Sequence, residues 1–172
     1  MAALGVLSIG AAGAIALEKV VSRSGARANT LAVASAVASS WAERLHVDGL
    51  RWGAHGLAGL DGTLWLRAVE WSPGEHHAPA PGPTDAPVAD RMGLDVIDGD
   101  DALPVFCTHV RLTRLGPLWP ELVRAEIRVV WERALQPMDC GVDPAVVDAD
   151  PGRFGAIYLV AGVLGLPPGE AR

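Results

Sequence analysis

The chain has little of what usually carries chemistry. Two cysteines, one tyrosine and two phenylalanines occur in 172 residues, no charged side chain precedes Glu18, and no proline precedes Pro73. Neither Cys107 nor Cys140 sits in a CxxC pair or near a histidine at metal spacing, which argues against a zinc site or a dithiol redox motif. No GxSxG turn is present, so the nucleophile elbow of a serine hydrolase is missing. The glycines from Gly49 to Gly62 follow neither GK[ST] nor GxGxxG order, and no phosphate-cradling loop is expected. His76 and His77 lie in a proline-rich loop without convergent partners. Asp95, Asp98, Asp100 and Asp101 lack the alternation and closing glutamate of a calcium loop, and read as an acidic solvated turn. Catalysis, a metal and a cofactor are therefore not expected. Basic residues are also scarce, 14 against 20 carboxylates for a net charge of -6. A nucleic-acid partner is not expected on that balance.

What is present is apolar, and it is patterned. Met1 to Leu17 is an uncharged run, slightly short of the twenty or so residues that cross a bilayer. A signal peptide would need a basic start, which is missing, although Ala14-Ile15-Ala16 resembles a cleavage site. Beyond Leu17 the residues Leu31, Ala34, Ala38, Trp41 and Leu45 fall at 3-4-3-4 spacing, one stripe of a helix. Arg23, Arg27, Asn29, Ser39, Glu43 and Arg44 supply the polar opposite face. Residues 1 to about 46 thus read as one helix of about 70 Å, apolar in its first half and amphipathic in its second. Gly5, Gly10, Gly13 and Gly25 weaken it by about 1 kcal/mol each relative to alanine, and permit close helix contact.

The rest reads as a small sheet. His46 to Gly62 is a glycine-rich link, Leu64 to Trp71 a strand, and residues 72–88 a loop too rich in proline to join a ladder. Val105–Leu112 and Leu122–Glu132 form an antiparallel hairpin around RLGPLWP. In the second of these, Val123, Ala125, Ile127, Val129 and Trp131 alternate with Arg124, Glu126, Arg128 and Glu132, so one face is expected dry and the other wet. Phe154–Val160 is a weaker third strand. Trp41, Trp52, Trp65, Trp71, Trp119 and Trp131 follow no repeat and read as core and interface anchors. The expected fold is α+β: a long N-terminal helix, residues 1–46, packed on a small antiparallel sheet in a head of residues 47–172. An even cysteine pair after an export-like start favours a Cys107–Cys140 disulfide over two buried thiols. The hairpin places a residue near Arg128 opposite Cys107, so Ala134 to Asp139 must fold back for the sulfurs to meet.

MAALGVLSIGAAGAIALEKVVSRSGARANTLAVASAVASSWAERLHVDGLRW resembles the N-terminal helix of type IV minor pilins of the PilV kind, from Gram-negative bacteria. PVADRMGLDV, VFCTHVRLTRLGP and LVRAEIRVVWER are similar to their globular part. The resemblance implies a structural subunit without enzymatic activity, held in the inner membrane by a single-pass helix and then assembled into a periplasmic or cell-surface pilus. It implies an assembly helix in which Gly5, Ser8 and Gly13 allow close approach while Leu4, Leu7, Ile9, Ile15 and Leu17 supply contact. Implied partners are other major and minor pilins, the inner-membrane pilus machinery and, given an upstream leader, a prepilin peptidase. The basic leader, its closing glycine and the following glutamate do not precede Met1, so the expectation is a start at an internal methionine of a longer prepilin, or else a degenerate copy that cannot be processed. The competing expectation is a secreted periplasmic ligand-binding domain with a cleaved signal peptide and a tryptophan-lined cleft.

Overall fold

The computed structural model describes the backbone of residues 2–52, 60, 62–70, 72–97 and 101–165; along the first helix, side chains are described at 18, 21–22 and from 24 onward. The fold is α+β, one long helix and a four-stranded antiparallel sheet. Helix α1 spans Ala2–Gly49, β1 Val88–Ala89, β2 Phe106–Arg114, β3 Leu122–Glu132, α2 Pro144–Ala149 and β4 Phe154–Leu164. The chain divides into two compact units, Met1–Val33 and Ala34–Arg172. The first is a stretch of α1 alone, with Val21, Ser22 and residues 24–29 exposed. Among the described residues no helix is long and apolar enough to cross a membrane. The side chains of Leu4, Gly5, Leu7, Ser8, Ile9, Gly13, Ile15 and Leu17 lie outside those described.

In the second unit the strands run in the order β1-β2-β3-β4. Their registers pair Phe106 with Trp131 and Val110 with Ile127, then Trp131 with Gly155 and Val123 with Val163. One face therefore carries Phe106, Val110, Leu112, Val123, Ala125, Ile127, Val129, Trp131 and Val163, all buried. The α1 stripe belongs to the same core: Ala34, Ala38, Trp41 and Leu45 are at most 1% exposed. Leu31 is 48% exposed and stands outside the seam expected for it. The stripe instead continues past Leu45 to Asp48, and the helix past residue 46 to Gly49. At Gly49 a Cβ would lie 2.5 Å from Val163 Cγ1, so glycine lets the helix end reach the sheet. Gly155 serves likewise, since a Cβ there would sit 2.6 Å from the Trp131 ring.

Leu66–Glu70 is a 3-10 helix where a strand was expected, and Trp71 lies outside the described residues. The loop that follows does join the sheet at one point: His77 and Val110 exchange both backbone hydrogen bonds, at 3.0 and 2.8 Å. The third major strand is longer than expected, reaching Leu164. Helix α2 was not expected; the Asp143 carboxylate accepts the Ala145 amide proton at 2.8 Å and Pro144 sits in the first turn, a conventional start.

Candidate functional site

Charged side chains on the last turns of α1 hold the irregular segment that covers its end. Asp48, 1% exposed, accepts three consecutive backbone protons, from Leu64 at 2.7 Å, Trp65 at 2.8 Å and Leu66 at 3.0 Å. One turn earlier, Arg44 bridges Asp85 through Nε at 3.0 Å and Asp95 through Nη2 at 2.7 Å, with its guanidinium 4.8 Å from the Trp41 ring centre. Trp41 and Trp65 meet edge to face at 5.4 Å. Asp95 is thus an ion-pair partner rather than part of a solvated turn, and it also accepts the Ala86 amide proton. Asp101 is exposed, and Asp98 and Asp100 lie outside the described residues. The sequence marks Arg44 only as one of the polar-face residues of the helix, and the stripe expected to end at Leu45 does not single out Asp48 as an acceptor. The usable signal was a carboxylate three residues past Leu45, on the apolar stripe itself.

The opposite sheet face is not uniformly wet. Arg128 is 2% exposed and Glu126 9%, which corrects the expectation of a solvated charged row. Cover comes from two segments remote in sequence. At one end Cys107, Val130, Met138, Val147 and Phe154 form a small second core, with Cys140 and Val142 packed on it. Cys107 and Cys140 are disulfide-bonded, with Cα atoms 5.3 Å apart. Val130, not Arg128, lies opposite Cys107, and the chain folds back after a turn with Leu135 at φ 52°. In the centre Arg128 donates to Asp148 on α2 at 2.6 Å and lies 5.4 Å from the Tyr158 ring centre. Glu126 pairs with Arg111 and, at 2.9 Å, with Arg124.

Three histidines border this polar strip: His109 on β2, as its strand position implied, and His76 and His77, which are half-buried rather than exposed loop residues. Burial pushes the pKa of His109 below its ordinary value, and the Arg128 guanidinium pushes it further down. His76 is lowered by burial and by Arg111 and Arg128, and His77 by burial. Neutral imidazole is what such a site favours, because a second cation beside Arg128 would be both desolvated and repelled. The Arg128 charge is compensated by one carboxylate and one aromatic face. Among the described residues, no group of three or more His, Cys, Asp or Glu side chains is placed to hold a metal ion.

Of the residues expected to matter, the structure brings together Ala34, Ala38, Trp41 and Leu45 in one seam and Cys107 with Cys140 in one bond. Trp41, Trp52, Trp65 and Trp131 are each at most 7% exposed, whereas Trp119 is exposed at the hairpin tip. Their burial makes them core anchors. In comparisons with known proteins, no family model, no curated protein and no solved structure matches this chain.

Proposed function

We propose that the chain is a structural subunit of a type IV pilus or related fibre, a minor pilin whose first helical half sits in the inner membrane and then packs among neighbouring subunits. One observation supports this reading above the others. Helix α1 spans 48 residues, yet among its described side chains the first buried one is Ala34, while Val21 and Leu31 are 62% and 48% exposed. A helix about four times the usual length gains little from propensity alone and is stabilised chiefly by packing. The part before Ala34 therefore calls for partners outside its own head. The uncharged run to Leu17 suits lipid first and helix neighbours later, with small residues permitting close approach. The disulfide-tied head suits an oxidising compartment outside the cytoplasm.

The test is made in the producing cell. Mass spectrometry of the subunit recovered from fibres is expected to find residues 5–17 retained, and a mature start near Leu17 or Glu18 would overturn the proposal. Leu7→Arg places a charge in the apolar run at a cost of at least about 2.5 kcal/mol on insertion scales. Loss of that variant from the fibre fraction is expected, and normal incorporation contradicts the role given to the helix.

A further inference from the structure

We propose that β4 is a dimerisation edge, pairing antiparallel with β4 of a second copy of this chain about a two-fold axis at Val160. The site lies wholly in the unit Ala34–Arg172 and does not depend on the fibre reading. Among the described residues, strand β4 is the last in the sheet order and is hydrogen-bonded on one side, to β3. Its eleven residues, FGAIYLVAGVL, contain no charge and no proline, and they keep unbroken register with β3 from Phe154 to Leu164. Sheet edges are normally blunted by charge, proline, a bulge or shortness, and this edge has none of these.

The ladder shows which groups are free. Arg133 donates to the Arg153 carbonyl at 2.8 Å and Gly165 donates to the Glu121 carbonyl at 2.8 Å, so the odd-numbered residues of β4 bond inward to β3. By the alternation of an antiparallel strand, Ala156, Tyr158, Val160, Gly162 and Leu164 turn their N–H and C=O groups to the open edge. The next even carbonyl, Phe154, is already taken by Arg133 Nε at 3.1 Å. A second copy centred on Val160 uses all five free residues and no occupied one, forming about ten backbone hydrogen bonds. Side chains fit in the same register. Tyr158 stands opposite Gly162 of the other copy, where the bare glycine leaves room beside the ring, Ala156 stands opposite Leu164, and Val160 opposite Val160. Tyr158, Val160 and Leu164 are 58%, 56% and 57% exposed in the single chain and share one sheet face. A chain with net charge -6 meets its copy more easily along an uncharged line than elsewhere. The contact is isologous, so it closes at two copies.

The experiment uses the full chain in mild detergent, with a short bismaleimide cross-linker. Val160→Cys is expected to give a covalent dimer because the two positions are direct neighbours across the axis, and Leu164→Cys is not, because its neighbour is Ala156. Val160→Lys sets two like charges opposite each other and is expected to raise the dimer dissociation constant about fivefold by sedimentation, the upper scale of an opposed pair. At a protein concentration below the parent's dissociation constant, where dimerisation adds no stability, the variant's tryptophan-monitored urea melt should match that of the parent, showing an intact fold. The proposal is overturned if the parent chain sediments as a monomer at 50 µM, if Val160→Cys fails to cross-link, if Leu164→Cys links equally well, or if Val160→Lys dimerises as tightly as the parent.

Discussion

Replacing Asp48 by alanine should destabilise the head by about 3 to 5 kcal/mol. A carboxylate in the last turn of a helix is poorly placed with respect to the helix dipole, which favours cations there. Asp48 stands in that turn of α1 nonetheless, buried, with three backbone N–H groups converging on it at 2.7 to 3.0 Å. Hydrogen bonds to a charged group contribute about 1.5 to 3 kcal/mol each, and bonds sharing one acceptor do not add fully. Alanine leaves the amides of Leu64, Trp65 and Leu66 without their acceptor, and leaving one buried amide unpaired costs about 1 to 3 kcal/mol. The total lies near the cost of breaking a buried ion pair by removing one partner.

Asparagine separates charge from geometry. Asp48→Asn keeps one carbonyl oxygen and the shape, but turns an amide group toward N–H donors where Oδ2 had accepted two protons. A loss of about 1 to 3 kcal/mol is expected, smaller than for alanine. Urea titration followed by tryptophan fluorescence is the assay, since Trp41 and Trp65 pack beside this junction. A loss under about 1 kcal/mol for Asp48→Ala with an unchanged denaturant slope would refute the view that this carboxylate fastens the segment to α1.

Trp41→Ala should cost about 3 to 5 kcal/mol in the same titration, and a loss below about 0.5 kcal/mol would remove the ring from the seam. Removing the disulfide with Cys107→Ala and Cys140→Ala, 33 positions apart, should cost about 3 kcal/mol, and thiol labelling of denatured, unreduced protein should find no free cysteine. Acid should weaken the head through its histidines. Burial holds the folded pKa of His109 below the ordinary 6.5, so the unfolded chain binds more protons as pH falls through that value. Stability is then intact above about pH 6.5 and declines below it until the folded pKa is reached. His109→Gln should make urea midpoints fall less between pH 7.5 and 5.0, with His76 and His77 supplying the remaining slope, and an unaltered slope would exclude His109 as a contributor.

The long helix, the hairpin and the disulfide could be read from sequence because each leaves a local or countable mark. A 3-4-3-4 stripe buries one helical face wherever it finds cover, as Ala34, Ala38, Trp41 and Leu45 show. The pattern carries no information on where cover stops, and Leu31 fits the period while standing outside the head's core. Alternation in β3 correctly oriented Val123 to Trp131. It failed for Arg128 and Glu126 because their cover arrives from residues near His76 and from the segment around Asp148, and no window around β3 contains either. The stretch LWLRAVEW fails for another reason. Successive N–H groups of a strand point to opposite sides, so one carboxylate cannot collect three in a row. Once Asp48 takes the amides of Leu64, Trp65 and Leu66, the chain there must turn, and it proceeds into a 3-10 helix.

Labour is divided among the last turns of α1 for the same physical reason. Residues between Leu60 and Ile97 form little regular structure, so their buried backbone groups cannot satisfy one another through a ladder and must find other partners. Asp48 supplies an acceptor for three of those amides. Arg44 ties down the later part of the segment by gathering Asp85 and Asp95, ten residues apart, on one planar guanidinium, and Asp95 in turn accepts the Ala86 amide proton. Lysine could not join two carboxylates in this fixed fork. The final turns of the helix therefore carry two functions on adjacent faces, an apolar stripe that closes the sheet core and a pair of charges that organises loops with no periodicity of their own. Among the described side chains of the helix, none before Ala34 is buried, so both functions belong to roughly its last four turns.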